Sequence, residues 1–576
     1  MKFRELAEYL SKLEKTASRL KITEILADLF KKSLPNEIDK ICYLSLGRLA
    51  PAYEGIEFNL ADKLIIRALA QAFKKTPLEI NQKYKQLGDL GDTTEYFDRQ
   101  QSAKPLSVNE VYGRLWEIAK DAGGGSVERK ISLMASLIDD LDALSAKYVT
   151  RIPLGRLRLG FSELTIMDAL SWMLGGDKIK RERIEEIYNV RADIGQIAQL
   201  LKKKGLDGLK GVGVVLGVPI VPALCQRLPN VEEMIKKMNK VAAEPKYDGT
   251  RLQIHFDRSK NFIKTFTRNL EDSTLMFPDI TQTVFKEVKA KKVILDGEAI
   301  GFDQKTGKFL PFQETIKRKR KYEISSKTKE IPLKYFVFDI LYKDGQDLLS
   351  TPFAKRRAIL AKILMPTNKT ILLSPQIVSE SAEDLRRYHD EQKAKGLEGI
   401  VVKKWQGTYD PGRRGYNWVK FKEDTSKKGG GLADTLDCVV MGYSKGKGKR
   451  AKFGIGAFLV GIRKTAESDQ FLTISKIGTG LSDEQWREMY RKCQRCKVAK
   501  LQSKPKQYQV SKNLAPDIWC NPKIVVEIQA DNITVSPIHT AGLAFRFPRL
   551  KHFRDDKTAD QASTLAEARK LYRMQK

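Results

Sequence analysis

The chain has 576 residues, with 104 Lys and Arg against 71 Asp and Glu, a formal net charge of +33. Hydrophobic residues make up 41 % and aromatic residues 9 %, enough for three or four domains of about 150 residues each and unlike a collagen-like, disulfide-framed or wholly disordered chain. No apolar run of about 18 residues is present to cross a bilayer, and the start MKFRELAEYLSKLEK is charged throughout, unlike a secretory signal.

Residues 1 to about 210 carry helical periodicity. Phe3, Leu6, Leu10, Leu13 and Leu20 form one apolar stripe, and 23–34 carries another. Ser107 and Glu110 make a capping box ahead of Val111, Tyr112, Leu115 and Ile118. Gly123, Gly124 and Gly125 end that helix, and the next is predicted from about Val127 to Ala146. An all-α domain is expected over 1–215. The Gly- and Lys-rich stretch 203–218 reads as its boundary, with Pro219 and Pro222 stiffening the far side. Strands are then predicted at Arg251–Phe256, Lys292–Phe302, Lys334–Tyr342, Gly399–Lys404 and Trp418–Lys422, with helices at Asn230–Val241 and Ala382–Lys395, an α+β domain over 216–430. KKGGG at Lys427–Gly431 marks a second shift. Short strands at Asp437–Tyr443, Gly456–Ile462 and Lys523–Ala530 predict a small barrel over 431–576, closed by a helix over 558–576.

The positive excess points to a polyanion, nucleic acid ahead of an anionic membrane surface. KRKRK at Lys317–Lys321 reads as a DNA-backbone contact or a solvated loop rather than a nuclear signal. Lys445, Lys447, Lys449, Arg450 and Lys452 form a Gly-flanked loop suited to phosphates, contacts that carry no sequence information. Six cysteines (Cys42, Cys225, Cys438, Cys493, Cys496, Cys520) suit a reducing compartment. Cys493 and Cys496 form a lone CxxC on a helix starting near Leu481 or Ser482. A structural zinc needs four ligands. With His255, His389, His539 and His552 the only histidines, two cysteines on a helix is the preferred reading.

Six segments carry chemistry in a fixed order. EPKYDGTR (244–251) puts Lys246 at a strand end opening a Gly turn, where cationic neighbours can turn an amine into a nucleophile. Then come Thr267-Arg268-Asn269, Glu298 in LDGEAIGFD, Phe338 in YFVFDILY, Glu398 in LEGIVVKK, and Lys420 and Lys422 in YNWVKFK. Lys420 and Lys422 share one strand face, Val419 and Phe421 the other. Each segment alone has a bland reading: a solvated turn, a strand-edge charge, ordinary core.

Together they resemble the lysine-dependent nucleotidyltransferase superfamily, and within it the ATP-dependent DNA ligases of the archaeal and eukaryotic replicative type. AKYVTRIPLGRLRLGFSELTIMDAL (146–170) resembles that family's helical DNA-binding signature, GVPIVPALCQRL (217–228) the start of its catalytic domain, and AFRFPRLKHFRDDK (544–557) its closing motif, with His552 a departure. The resemblance implies a helical DNA-binding domain, an ATP-grasp-like α+β nucleotidyltransferase domain and a C-terminal OB-fold barrel. It implies that Lys246 carries AMP, that Glu244 reads the adenine amino group, and that Phe338 stacks on adenine. Arg251 and Arg268 then lie near ribose and phosphate, and Glu298 holds a ribose hydroxyl and helps bind metal. Glu398 binds metal, and Arg414, Lys420 and Lys422 serve the α-phosphate. Arg554, Asp556 and Lys557 handle the pyrophosphate end. Asp248 is a candidate for a metal or 3′-end contact.

The implied cofactors are ATP and Mg²⁺, or Mn²⁺ in its place. The implied partner is nicked duplex DNA in replication, repair and recombination, met by a monomer in the cytoplasm, with no membrane. NAD-dependent ligases carry a four-cysteine zinc module that these cysteines cannot supply. No clamp-binding peptide is visible near Phe97–Leu106, so a sliding clamp stays an open partner. An RNA-capping or RNA-ligase-type enzyme is the alternative, and a catalytically dead nucleic-acid scaffold a third reading. Six cations (Lys246, Arg251, Arg268, Arg414, Lys420, Lys422) are expected to be buried at the site, with the remainder spread over a DNA-facing surface.

Overall fold

The structure is a computed structural model. It describes every residue except 17, 98–103, 229, 311, 316–317, 319–327, 329, 422–434, 447–449, 451–452, 499–503, 531 and 575–576, and the side chains of 312, 313 and 414. The chain divides into two compact units, Met1–Lys422 and Glu423–Lys576.

The first unit opens with twelve α-helices among its described residues, from Phe3–Glu14 to Ile194–Lys204. Ser107 accepts from the Glu110 N–H and Glu110 answers at the Ser107 N–H, which starts the helix Val108–Lys120 as the capping box predicts. Two expectations fail by one element each. The N-terminal stripe breaks at Glu14, because Ser18 caps a new helix, Arg19–Lys32, in which Leu20 is 52 % exposed. The helix predicted to reach Ala146 stops at Asp139. Asp142 accepts from the Leu144 and Ser145 N–H groups and starts Ala143–Arg151 afresh.

The rest of this unit holds two sheets. Strands β1 (Leu224–Arg227), β2 (Val241–Pro245), β3 (Thr250–Asp257), β4 (Phe262–Thr267), β5 (Lys292–Gly301), β6 (Leu333–Lys343), β7 (Gln346–Asp347), β8 (Ile371–Leu373), β9 (Ile377–Ser379), β10 (Ile400–Lys404) and β11 (Arg414–Phe421) follow in chain order. One sheet runs β1-β11-β10-β2-β9. The other runs β4-β3-β5-β6-β7, with β8 beside β6. Alternation sorts the first sheet cleanly. Val241, Ala243, Ile400, Val402 and Val419 are buried against the helices Val231–Met238 and Ala382–Ala394. Ala242, Glu244, Lys403, Trp418 and Lys420 take the opposite face, paired Lys403 with Ala242 and Trp418, and Val401 with Glu244 and Lys420. In the second sheet, Leu252, Ile254, Phe256, Val293 and Leu295 pack with the helices Pro278–Glu287 and Phe353–Ile363. Arg251, Gln253, Asp296 and Glu298 share the other face. Arg251 lies 5.5 Å from the Phe338 ring and 5.4 Å from the Trp418 ring, so the two polar faces meet.

The second unit has β12 (Leu436–Ser444), β13 (Ala457–Arg463), β14 (Phe471–Ile477), β15 (Tyr508–Gln509), β16 (Ile518–Trp519), β17 (Val525–Gln529), β18 (Asn532–Val535), β19 (Leu543–Arg546) and β20 (Arg549–Phe553). The main sheet runs β15-β14-β13-β12-β17-β20 with β16 beside β12, and among the described residues β18 and β19 form a separate two-stranded sheet. The helix Asp483–Cys496 is capped by Ser482. The terminal helix is shorter than predicted, Leu565–Met574, after a 3₁₀ turn at Ala559–Gln561. Cys493, Cys496 and Cys520 are buried as free thiols, and no three metal-ligating side chains converge among the described residues. No helix among those residues is long and apolar enough to cross a membrane. The KKGGG boundary lies outside the described residues.

Candidate active site

Lys246 follows β2 directly, and the next three residues turn the chain into β3. The turn is held at both ends. The Lys246 N–H donates to the Gly399 carbonyl at 2.8 Å, and the Glu398 N–H donates to the Lys246 carbonyl at 3.2 Å. Tyr247 is buried and stacks on Phe336, ring centres 4.5 Å apart. Gly249 passes so close to β5 that a Cβ there would sit 2.3 Å from the Ala299 carbonyl oxygen and 3.1 Å from Glu298 Cγ. Only glycine permits this approach. The Lys246 side chain, 23 % exposed, ion-pairs with Glu398.

Glu298 faces the same place from β5, opposite Arg251 in register. Its carboxyl is pushed up to about 7: withdrawal from water outweighs the pull of Lys246 and Arg251, and Asp296 and Asp248 add to the rise. Arg251 is held inside the fold. It grips Asp296 through Nε (3.0 Å) and Nη2 (2.6 Å), and donates to the Ala223 carbonyl (2.8 Å) and the Tyr409 hydroxyl (3.2 Å). Phe338, part-exposed on β6, meets Trp418 edge-to-face at 5.7 Å.

Glu244 is 2 % exposed, with one oxygen 2.8 Å from Lys403 and the other 3.4 Å from Arg357. Lys403, itself 1 % exposed, also donates to the Phe338 carbonyl at 2.7 Å and lies over the Phe338, Phe353 and Trp418 rings.

The structure brings Glu244, Lys246, Asp248, Arg251, Glu298, Phe338, Glu398 and Lys420 into one region of the first unit. Arg268 departs from the expected set of buried cations: it follows β4 in an exposed turn. Lys422 and the Arg414 side chain lie outside the described residues. Arg554, Asp556 and Lys557 belong to the second unit and form their own cluster. Arg554 pairs with Asp556 at 2.7 Å and Asp437 at 3.3 Å, and Lys557 reaches Asp437 at 2.5 Å. The Arg554 hydrogen bond holds Asp556 down to about 2. His552 is exposed on β20 and pairs in register with Glu527. In the KRKRK run, Arg318 is buried and bound to Asp279 at 2.6 Å, neither solvated nor a backbone contact; the rest of the run lies outside the described residues. So do residues 98–103 of the stretch Phe97–Leu106, and Lys447, Lys449 and Lys452 of the phosphate loop.

Sequence reasoning missed Asp296, Arg357, Lys403, Tyr409 and Trp418. Two left a signal: Asp296 and Lys403 fall on the same strand face as the flagged Glu298 and on the strand opened by Glu398. Arg357 left none, since nothing in a helix repeat says which arginine turns inward.

Among the described residues no closed cage of three metal ligands exists. Mg²⁺ commonly takes one or two carboxylates and completes its shell with water and substrate phosphate, and Glu298 with Glu398 is a donor set of that kind. Chemically the region suits group transfer at phosphorus, with an amine as the nucleophile in reach.

Three family models match the chain: "DNA ligase N terminus" over residues 2–171, "ATP dependent DNA ligase domain" over 222–422 and "ATP dependent DNA ligase C terminal region" over 451–557. The chain is 44 % identical over 584 residues to a probable DNA ligase of Dictyoglomus thermophilum, covering 100 % of this chain and 98 % of that one. It is 37 % identical over 600 residues to a DNA ligase of Saccharolobus solfataricus, covering 100 % and 98 %. The solved structure called Pmar-Lig_Pre shares the fold, with a TM-score of 0.53 at 17 % identity over 95 % of this chain and 99 % of that one. The chain belongs to the ATP-dependent DNA ligase family. It is an enzyme that uses ATP and a divalent metal, replication and repair are typical roles of its family, and the RNA-capping and RNA-ligase reading is not favoured.

Proposed function

We propose that the chain seals nicks in duplex DNA through AMP carried on Lys246. The observation that carries this is the turn 246–249, which presents Lys246 beside Glu398 and within the field of Glu298. Lys246 Nζ attacks the α-phosphorus of ATP, and the N–P bond forms as the bond to pyrophosphate breaks. The 5′-phosphate at the nick takes the AMP from Lys246. The 3′-hydroxyl then closes the phosphodiester, and AMP leaves. Each step is an in-line displacement, so positioning and charge neutralisation dominate.

Glu398, already in contact with Nζ, orients the Lys246 side chain at the site. Glu298 accepts from the ribose hydroxyl, Phe338 stacks on adenine, and Glu244 accepts from the adenine amino group. Lys420, Lys422 and Arg414 supply cations to the α-phosphate. Arg251, fixed on Asp296, lies on the ribose side, Arg268 reaches phosphate from its exposed turn, and Asp248 faces the metal or the 3′ end. Glu298 and Glu398 would hold Mg²⁺ or Mn²⁺, whose charge screens the phosphates. Arg554, Asp556 and Lys557 serve the leaving pyrophosphate.

The domains proposed are 1–215, 216–430 and 431–576, the last an OB-fold whose β12–β14 meander and β17 suit that barrel. The working form proposed is a cytoplasmic monomer, with a sliding clamp an open partner. Mixed with ATP and Mg²⁺, the chain should form a covalent protein–AMP adduct, stable in alkali and labile in acid as a phosphoramidate is, that maps to Lys246 by mass spectrometry. An adduct persisting in Lys246→Ala would overturn the assignment.

A further inference from the structure

The reading that Glu244 faces the base leaves one question of chemistry. An ionised carboxylate only accepts hydrogen bonds, whereas a protonated one can also donate, and a buried one tends to hold its proton. Glu244 lies on the site face of β2, almost fully buried, and two cations from two different elements hold it. Lys403 comes from β10. Arg357 comes from the helix Phe353–Ile363 and is itself fixed by the Ser374 carbonyl at 2.5 Å. Two carboxylate oxygens offer about four acceptor positions. Two are spent on these cations, which leaves acceptors for an incoming N–H donor and nothing that can donate.

We propose that Arg357, together with Lys403, is a positioning residue that holds Glu244 as a fixed acceptor and so makes the site select a 6-aminopurine nucleotide over a 6-oxopurine one. The 6-amino group donates to the carboxylate. A 6-oxo group places a second acceptor against it, and leaving buried acceptors facing each other is what gives a hydrogen-bonding site its discrimination. Lys403 couples this reader to the stacking ring, because the same ammonium donates to the Phe338 carbonyl.

The groups facing Glu244 set the pH behaviour. Burial pushes its carboxyl up, Lys403 and Arg357 pull it down, and Asp339 on β6 raises it again. Asp339 is bound in turn by Arg356 at 2.8 Å. The remaining neighbours, Tyr247 in the turn and Tyr388 on the helix Ala382–Ala394, are both pushed up by burial, Tyr388 to about 12, and stay neutral at ordinary pH. Without Arg357, burial is less opposed, Glu244 keeps its proton to higher pH, and a protonated carboxyl can donate to a 6-oxo group.

The inference rests on the proposed reading of the site, and the test separates the two. Adduct formation is measured with ATP and with inosine triphosphate, which differs at the 6-position and at N1, across about pH 6 to 9. Wild type should favour ATP with a ratio flat in pH. In Arg357→Met the ratio should fall about tenfold near neutrality and recover as pH rises. Arg357→Lys, which keeps the charge, should stay near wild type. Arg357→Gln, which keeps a polar head for the Ser374 carbonyl, serves the same purpose if the methionine variant does not fold. Neutral variants that lower both rates equally and leave the ratio flat overturn the inference. A wild-type chain that forms no adduct overturns the reading of the site and this inference with it.

Discussion

His255 shows how a single buried group couples the chain to pH. It is fully buried on β3, where Nδ1 accepts the Gly217 N–H at 3.2 Å and Nε2–H donates to Gln253 at 2.8 Å. Burial, helped by Lys264, pushes the ring down to about 3. The folded ring stays neutral while the unfolded one gains a proton below about 6.5, so this contribution is full above that pH and is lost as pH falls toward 3. Between pH 7 and pH 5 the loss from this group is about 2 kcal/mol. Denaturant melts of wild type and His255→Gln at the two pH values should show that increment in wild type and lack it in the variant. The sequence showed a histidine in a strand; only the contact with Gly217 and Gln253 reveals why it stays neutral.

At the scale of elements, the turn 246–249 decides the site. Gly249→Ala would drive a Cβ into the Ala299 carbonyl, and backbone of a paired strand cannot yield cheaply. The expected cost is about 1–3 kcal/mol, with adduct formation down at least about tenfold because Lys246 moves with the turn. Far-UV circular dichroism should keep its helical signal, since the twelve N-terminal helices lie elsewhere in the unit. The longer strands read from the sequence, such as β3, β5 and β11, were legible because alternation is a local property: Lys420 on one face, Val419 and Phe421 on the other, needs no knowledge of partners. The helix break at Asp140 was not. Both Val127 to Asp139 and Ala143 to Arg151 carry helical patterns, and the cap at Asp142 that separates them depends on where the second helix must pack. Leu20 misled for the same reason, its spacing continuing a stripe across a break that Ser18 makes.

For the whole molecule, the net charge of +33 is expected to divide between the reaction and the substrate. DNA contacts release counterions, so nick binding should weaken steeply with salt, while adduct formation with ATP in the partly enclosed site should change little. Titrating salt in a gel-shift with nicked duplex and in the adduct assay separates the two; equal slopes would show that the excess charge serves both steps alike. By itself the amino-acid sequence determined the family and the order of helical and sheet regions, and it singled out Lys246 as the proposed nucleophile, because catalytic motifs and alternation are written in residues close along the chain. Only the tertiary structure decided which cations are buried and on what. Arg268, marked by its motif, stands in solvent. Arg318, one of a run of basic residues, is buried on Asp279. Arg357, without any motif, is held against Glu244. Charge is a property of a residue, but what it acts on is set by burial and by partners far along the chain, 39 residues away for Arg318 and 113 for Arg357, which no local pattern encodes.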